Sequence, residues 1–172
     1  MRLLLAAAVV AVIWPGAIVH AEPAGDTRSV AFGDLELTYD PALWSVARGD
    51  NHLKIECADR RCRSTPVYAS IVDDPHHVGC TGEAIPARFA HSTFATEYPS
   101  EDTKVWSATH DGLTFYFAEI YIGCRNLAGG PVIACTHHDG ATYFFEAPGD
   151  HCRTPWGIAA AIEGLLEGLK PK

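Results

Sequence analysis

Six cysteines, a scatter of histidines and a knot of arginines are the residues of this 172-residue chain whose types and spacing could do chemistry. Cys57, Cys62, Cys80, Cys124, Cys135 and Cys152 could bind a metal or pair as disulfides. Zinc ribbons and knuckles bring two close-spaced cysteine pairs, and here only Cys57-Ala-Asp-Arg-Arg-Cys62 is close-spaced, so the even set reads as three disulfides. His76, His77, His110, His137 and His138, with Asp73, Asp74, Asp111 and Asp139 beside them, are ligands that a zinc or copper site could use. Arg60, Arg61 and Arg63 lie on and next to the small ring that a Cys57–Cys62 bridge would close. A guanidinium is shaped for carboxylates, and a stapled ring loses little entropy when it docks. The chain has no Gly-x-Ser-x-Gly elbow, no phosphate-cradling glycine loop and no His-Glu-x-x-His, and an even cysteine set leaves no spare thiol nucleophile. The expectation is a binding protein with no catalytic residue and no cofactor.

The compartment decides between the two cysteine chemistries. Arg2 followed by the apolar run Leu3–Ile13, a break at Pro15-Gly16 and the small-residue end Val19-His20-Ala21 read as a secretory signal peptide over residues 1–21. Residues 22–172 then form a single exported domain, periplasmic or secreted, with no later segment apolar enough to span a membrane. Removing Arg2 makes the formal charge of −8 one unit more negative, which argues against nucleic acid as a partner. An unknown protein or small ligand remains. Against that acidic background the arginines of the ring stand out.

Elements that could position these residues follow from periodicity. Leu35, Leu37 and Tyr39 alternate with polar residues, as do Leu53, Ile55 and Cys57, and Val67–Val72 is rich in β-formers, which predicts three strands. Ile85, Pro86 and Phe89 open a helix predicted between Ile85 and Glu97. His110-Asp111-Gly112-Leu113-Thr114-Phe115-Tyr116-Phe117 is echoed by His138-Asp139-Gly140-Ala141-Thr142-Tyr143-Phe144-Phe145, each with Asp-Gly between strand-like runs, the signature of a type I′ hairpin. With Gly129-Gly130 as a third turn, a four-strand meander results: Val105–His110, Leu113–Cys124, Val132–His138 and Ala141–Ala147. The last helix has Thr154 as N-cap, Pro155 in its first turn, and Ile158, Ile162, Leu165, Leu166 and Leu169 on one face.

A two-residue turn at Gly129-Gly130 sets Cys124 opposite Cys135, within disulfide reach. The preferred pairing is 57–62, 124–135 and 80–152, with 135–152 as the rival. That register holds the two Asp-Gly turns about 26 Å apart, at about 3.3 Å per residue, and separates the histidines on them.

The order β-β-β-α-β-β-β-β-α predicts an α+β fold: an antiparallel sheet with the middle and C-terminal helices packed on one face, stapled by disulfides. Tyr39-Asp40-Pro41-Ala42-Leu43-Trp44 at the end of an early strand, and the closing Ile162-Glu163-Gly164-Leu165-Leu166-Glu167-Gly168-Leu169, resemble the corresponding segments of PsbP-like domains. That resemblance implies a scaffold whose members serve mostly as accessory or binding proteins, and it carries over no catalytic residue. The Cys-x-x-x-x-Cys ring followed by a β-rich segment is similar to the inhibitory loop of Ivy-type lysozyme inhibitors, although this ring reads Ala58-Asp59-Arg60-Arg61 where that family has a histidine. Inhibition of a cell-wall hydrolase, whose cleft carries carboxylates, is what this second likeness implies. Three readings follow: partner binding through the ring first, periplasmic metal binding second, an enzyme third.

Overall fold

Period-two alternation builds most of this chain. The computed structural model describes residues 26–62, 64–88, 103–120, 123–124, 127–128, 130–148 and 157–172. In chain order the elements are β1 (Arg28–Phe32), β2 (Leu35–Tyr39), β3 (Trp44–Arg48), β4 (His52–Cys57), a 3-10 turn (Arg60–Cys62), β5 (Val67–Asp73), α1 (Ile85–Arg88), β6 (Thr103–His110), β7 (Leu113–Ile120), β8 (Gly123–Cys124), β9 (Leu127–Ala128), β10 (Val132–His138), β11 (Ala141–Ala147), α2 (Ile158–Leu166) and β12 (Leu169–Pro171). The signal-peptide segment, most of the helix predicted between Ile85 and Glu97, and Thr154 and Pro155 lie outside the described residues.

Seven antiparallel strands form the main sheet in the order β3-β4-β5-β11-β10-β7-β6, and β1-β2-β12 form a smaller one. The α+β class is as the sequence predicts. Along β7, Phe115 and Phe117 point into one core with Ala134, Phe145, Ile162 and Leu166, while Ala118 and Ile120 point into another with Ile133, Cys135, Phe144, Cys80 and Ile85. Successive strand side chains face opposite ways, so the two cores lie on opposite faces of the sheet. The helices therefore do not share a face: α2 covers the first and α1 the second. Continuous apolar runs such as Val132–Cys135 and Tyr143–Phe145, buried throughout, mark strands covered on both sides. Arg88 fixes α1 by lying 4.3 Å over the Phe144 ring and pairing with Glu146 at 2.9 Å.

Both Asp-Gly hairpins form. Asp111 and Gly112 have φ of 47° and 79°, and Asp139 and Gly140 have 48° and 78°, the double positive φ of a type I′ turn. The register between the hairpins differs from the predicted one. β7 ends at Ile120, and Cys124 belongs to a two-stranded ribbon in which it faces Leu127. Tyr116 occupies the position opposite Cys135. Cys135 is bridged to Cys80 with Cα atoms 5.7 Å apart, which excludes the 124–135, 80–152 and 135–152 pairings, whereas Cys57–Cys62 forms as predicted. Cys152 lies outside the described residues, as does the side chain of Cys124.

At the C-terminus α2 begins after Gly157, which is its N-cap in place of Thr154 and makes no side-chain cap. Its apolar stripe holds for Ile158, Ile162, Leu165 and Leu166, all buried, but Leu169 belongs to β12, which pairs with β2. Gly168 makes this return possible. The Thr38 amide donates to its carbonyl at 2.8 Å, and a Cβ there would collide with the Thr38 carbonyl oxygen.

Candidate functional site

The arginine ring is built by its own sequence. β4 delivers Cys57, the chain turns once through Arg60–Cys62, and the Cys57–Cys62 bridge closes the ring with Cα atoms 5.8 Å apart. Asp59 shapes the turn: its Oδ1 accepts the Arg61 amide at 2.8 Å and the Arg61 Nε at 3.0 Å, and its carbonyl accepts the Cys62 amide at 3.2 Å. The Arg61 amide, and then its side chain, hold the Asp59 carboxyl below its ordinary range. Cys62 is buried, while Arg60 and Arg61 are exposed. Arg63 lies outside the described residues.

The ring does not stand alone. The Ala58 amide donates to the Leu43 carbonyl at 2.8 Å, which ties it to the segment that leads into β3. Between them and α2 lies a groove of about 440 Å³, walled by Trp44, Arg61 and Cys62 and floored by Ala160, Ala161 and Gly164. A second hollow of about 180 Å³ shares Leu43, Trp44, Gly164 and Leu165 and extends the groove toward Gly168. Apart from the Arg61 guanidinium the walls are apolar, and the floor is made of small residues. Such a surface can bury an extended or helical segment and grip a carboxylate at its end.

The histidines divide between faces. His137 and His138 are adjacent on β10 and so project to opposite sides of the sheet. His110, opposite Leu113, is on the Phe115 face, where its Nε2 is buried without a hydrogen-bond partner among the described residues. His76 is exposed. The structure brings together His77 and His137, whose rings lie 3.5 Å apart, and among the described residues no three His, Cys, Asp or Glu side chains are placed to hold a metal ion.

Asp74 organises the loop that carries His77. Its carboxylate accepts the amides of Val78 at 3.0 Å and Gly79 at 2.8 Å and the Thr142 hydroxyl at 2.8 Å, and its amide donates to Gly140 at 2.9 Å. Led by the Gly79 amide, and against the opposing effect of burial, these bonds hold its carboxyl down at about 2. Its carbonyl accepts His137 Nε2 at 2.9 Å, so that nitrogen carries the proton.

No protein-family model and no curated protein sequence matches this chain. Among solved structures, it is similar to the solution structure of cyanobacterial PsbP (CyanoP) from a Synechocystis species, with a TM-score of 0.55 over 91% of this chain and 98% of that one, at 12% identity. The fold is PsbP-like.

In this PsbP-like fold, the segment that carries the resemblance in sequence also lines the groove. Asp40 turns the chain after β2: its carbonyl accepts the amides of Leu43 and Trp44 at 3.1 and 2.9 Å, and its Oδ1 accepts Ala42 at 2.7 Å. Trp44 is thereby buried beside the ring. Sequence reasoning singled out the arginines and missed Ala160, Ala161 and Gly164. The signal was there: alanine and glycine four apart, on the face of α2 opposite its apolar stripe, give a helix surface with room beside it.

Proposed function

We propose that this chain is an exported accessory protein, periplasmic or secreted, that binds an acidic segment of a partner protein in the groove between the arginine ring and α2 and performs no chemistry of its own. The observation that carries this reading is the meeting of Arg61, Trp44 and the small-residue face of α2 along one groove. Two disulfides in the described residues fit an oxidising, extracytoplasmic setting, and the PsbP-like fold supports an accessory role. Apolar burial would supply affinity, and the arginines would supply orientation and discrimination in favour of carboxylates.

The test is partner capture from the native envelope by the wild type and two variants. Arg60→Glu with Arg61→Glu reverses the rim charge, and Gly164→Leu fills the groove from a position where an added Cβ meets nothing within 4 Å. Both variants should keep the wild-type circular dichroism and lose the partner that the wild type retains. Equal capture by all three proteins would overturn the proposal.

A further inference from the structure

A second cavity lies on the opposite face of the sheet, and the partner-binding reading makes no use of it. It measures about 460 Å³ and is lined by His77, Thr81, Thr114, Tyr116 and His137, with Cys80 in its wall and Gly112 of the first Asp-Gly turn at its mouth. The observed strand register creates it. Thr136 pairs with Phe115, so the next position sets His137 beside Thr114, and the two Asp-Gly turns stand about 10 Å apart, two strand spacings. The loop after β5 arches over them and is held by the Asp74 hydrogen bonds and by the buried Cys80–Cys135 bridge. His77 sits within that loop at φ 58°, in the left-handed region that most non-glycine residues avoid.

The lining has one chemical character. His77, two threonine hydroxyls and a phenol can donate hydrogen bonds, His137 already donates its Nε2 proton to the Asp74 carbonyl, and no carboxylate is among the lining residues. The nearby carboxylate of Asp74 is engaged by Val78, Gly79 and Thr142. A cation would find no countercharge in this wall, whereas an oxyanion would find converging donors. The volume exceeds what a bare phosphate fills. We infer that this pocket binds a small organic anion through a carboxylate or phosphate group, gripped by His77, Thr81, Thr114 and Tyr116, with the His137 ring packed beside His77 as part of the wall.

The test is titration of the disulfide-bonded exported protein with succinate, glycerol phosphate, inorganic phosphate, neutral glycerol and zinc chloride, followed by amide and imidazole NMR shifts. Saturable shifts at His77, Thr81, Thr114 and His137 are expected with succinate or glycerol phosphate and not with glycerol; which of the two binds tighter tells a carboxylate ligand from a phosphate one. His77→Asn keeps a residue that tolerates positive φ and removes the ring, and Thr114→Val removes a hydroxyl at nearly constant shape. Each should weaken the anion at least tenfold without changing the melting temperature. Absence of saturable anion shifts, unchanged affinity in both variants, or saturation by zinc alone would each overturn the inference. None of these outcomes bears on the arginine groove, which lies on the other face.

Discussion

Asp74 shows how much one side chain can organise here. It sits where β5 ends, is buried, and spends both carboxylate oxygens on the loop and on Thr142 of β11. Its carboxyl is held at about 2, below the unfolded value of about 3.9. A group whose folded value is depressed contributes stability that is present above the unfolded value and is lost as pH falls through the folded one. The wild type should therefore lose stability between about pH 4 and pH 2 from this residue. Asp74→Asn should start about 2–3 kcal/mol less stable at neutral pH, because its amide group opposes an N–H donor, and should lose less over that window. Denaturation curves at pH values across the interval check this; parallel losses in the two proteins would mean that Asp74 is not the titrating group. At the same scale, Arg60 and Arg61 were legible from the sequence as cations on the small ring because ring closure needs only local spacing, whereas the groove that Arg61 borders beside α2 was not. The meeting of His77 with His137 was not legible, since it joins residues 60 positions apart through a strand register.

Among the elements, the loop between β5 and α1 depends on the Cys80–Cys135 bridge as the ring depends on Cys57–Cys62. The two differ in what they do for stability. Cys80 and Cys135 are 55 residues apart, so their bridge removes about 4 kcal/mol of unfolded-state entropy on the loop-closure model, against about 2 kcal/mol for the short ring. Replacing Cys80 and Cys135 by serine should lower stability by nearly that larger amount and expose the His77–His137 pocket to hydrogen exchange. Replacing Cys57 and Cys62 should cost about half as much and chiefly loosen the ring. Peptide mapping without reductant should recover Cys80 linked to Cys135; recovery of Cys124 linked to Cys135 would refute the observed register. The hairpins themselves were predictable, because Asp-Gly imposes its own backbone twist. The short strand β12 was not, because Leu169 continues the helical stripe of α2 and only Gly168, lying against Thr38, turns it into the small sheet.

Over the whole molecule, a formal charge of −8 surrounds the arginines of the ring, so the acidic partner proposed above would approach against the general field and be held by a local one. Capture through the ring should therefore weaken sharply between about 0.05 M and about 0.5 M salt for the wild type, where rim pairs are screened, while the fold, secured by apolar cores on both sheet faces, stays intact. Salt-independent retention of the partner would place its binding elsewhere. The PsbP-like architecture keeps two cavities apart on one sheet: the groove with Arg61 lies on the α2 side, and the donor-lined pocket lies on the α1 side. What the sequence determined by itself was local: strands by alternation, hairpin turns by Asp-Gly, the small ring by close-spaced cysteines, the buried stripe of α2 by its three- and four-residue spacing. The tertiary structure decided which residues meet across distance. The register of β7 against β10, the partner of Cys135, the division of the helices between two faces, and the joining of Trp44 to α2 all depend on packing between segments far apart in the chain. No local spacing encodes those contacts, because each of them is selected by the burial of two apolar faces at once.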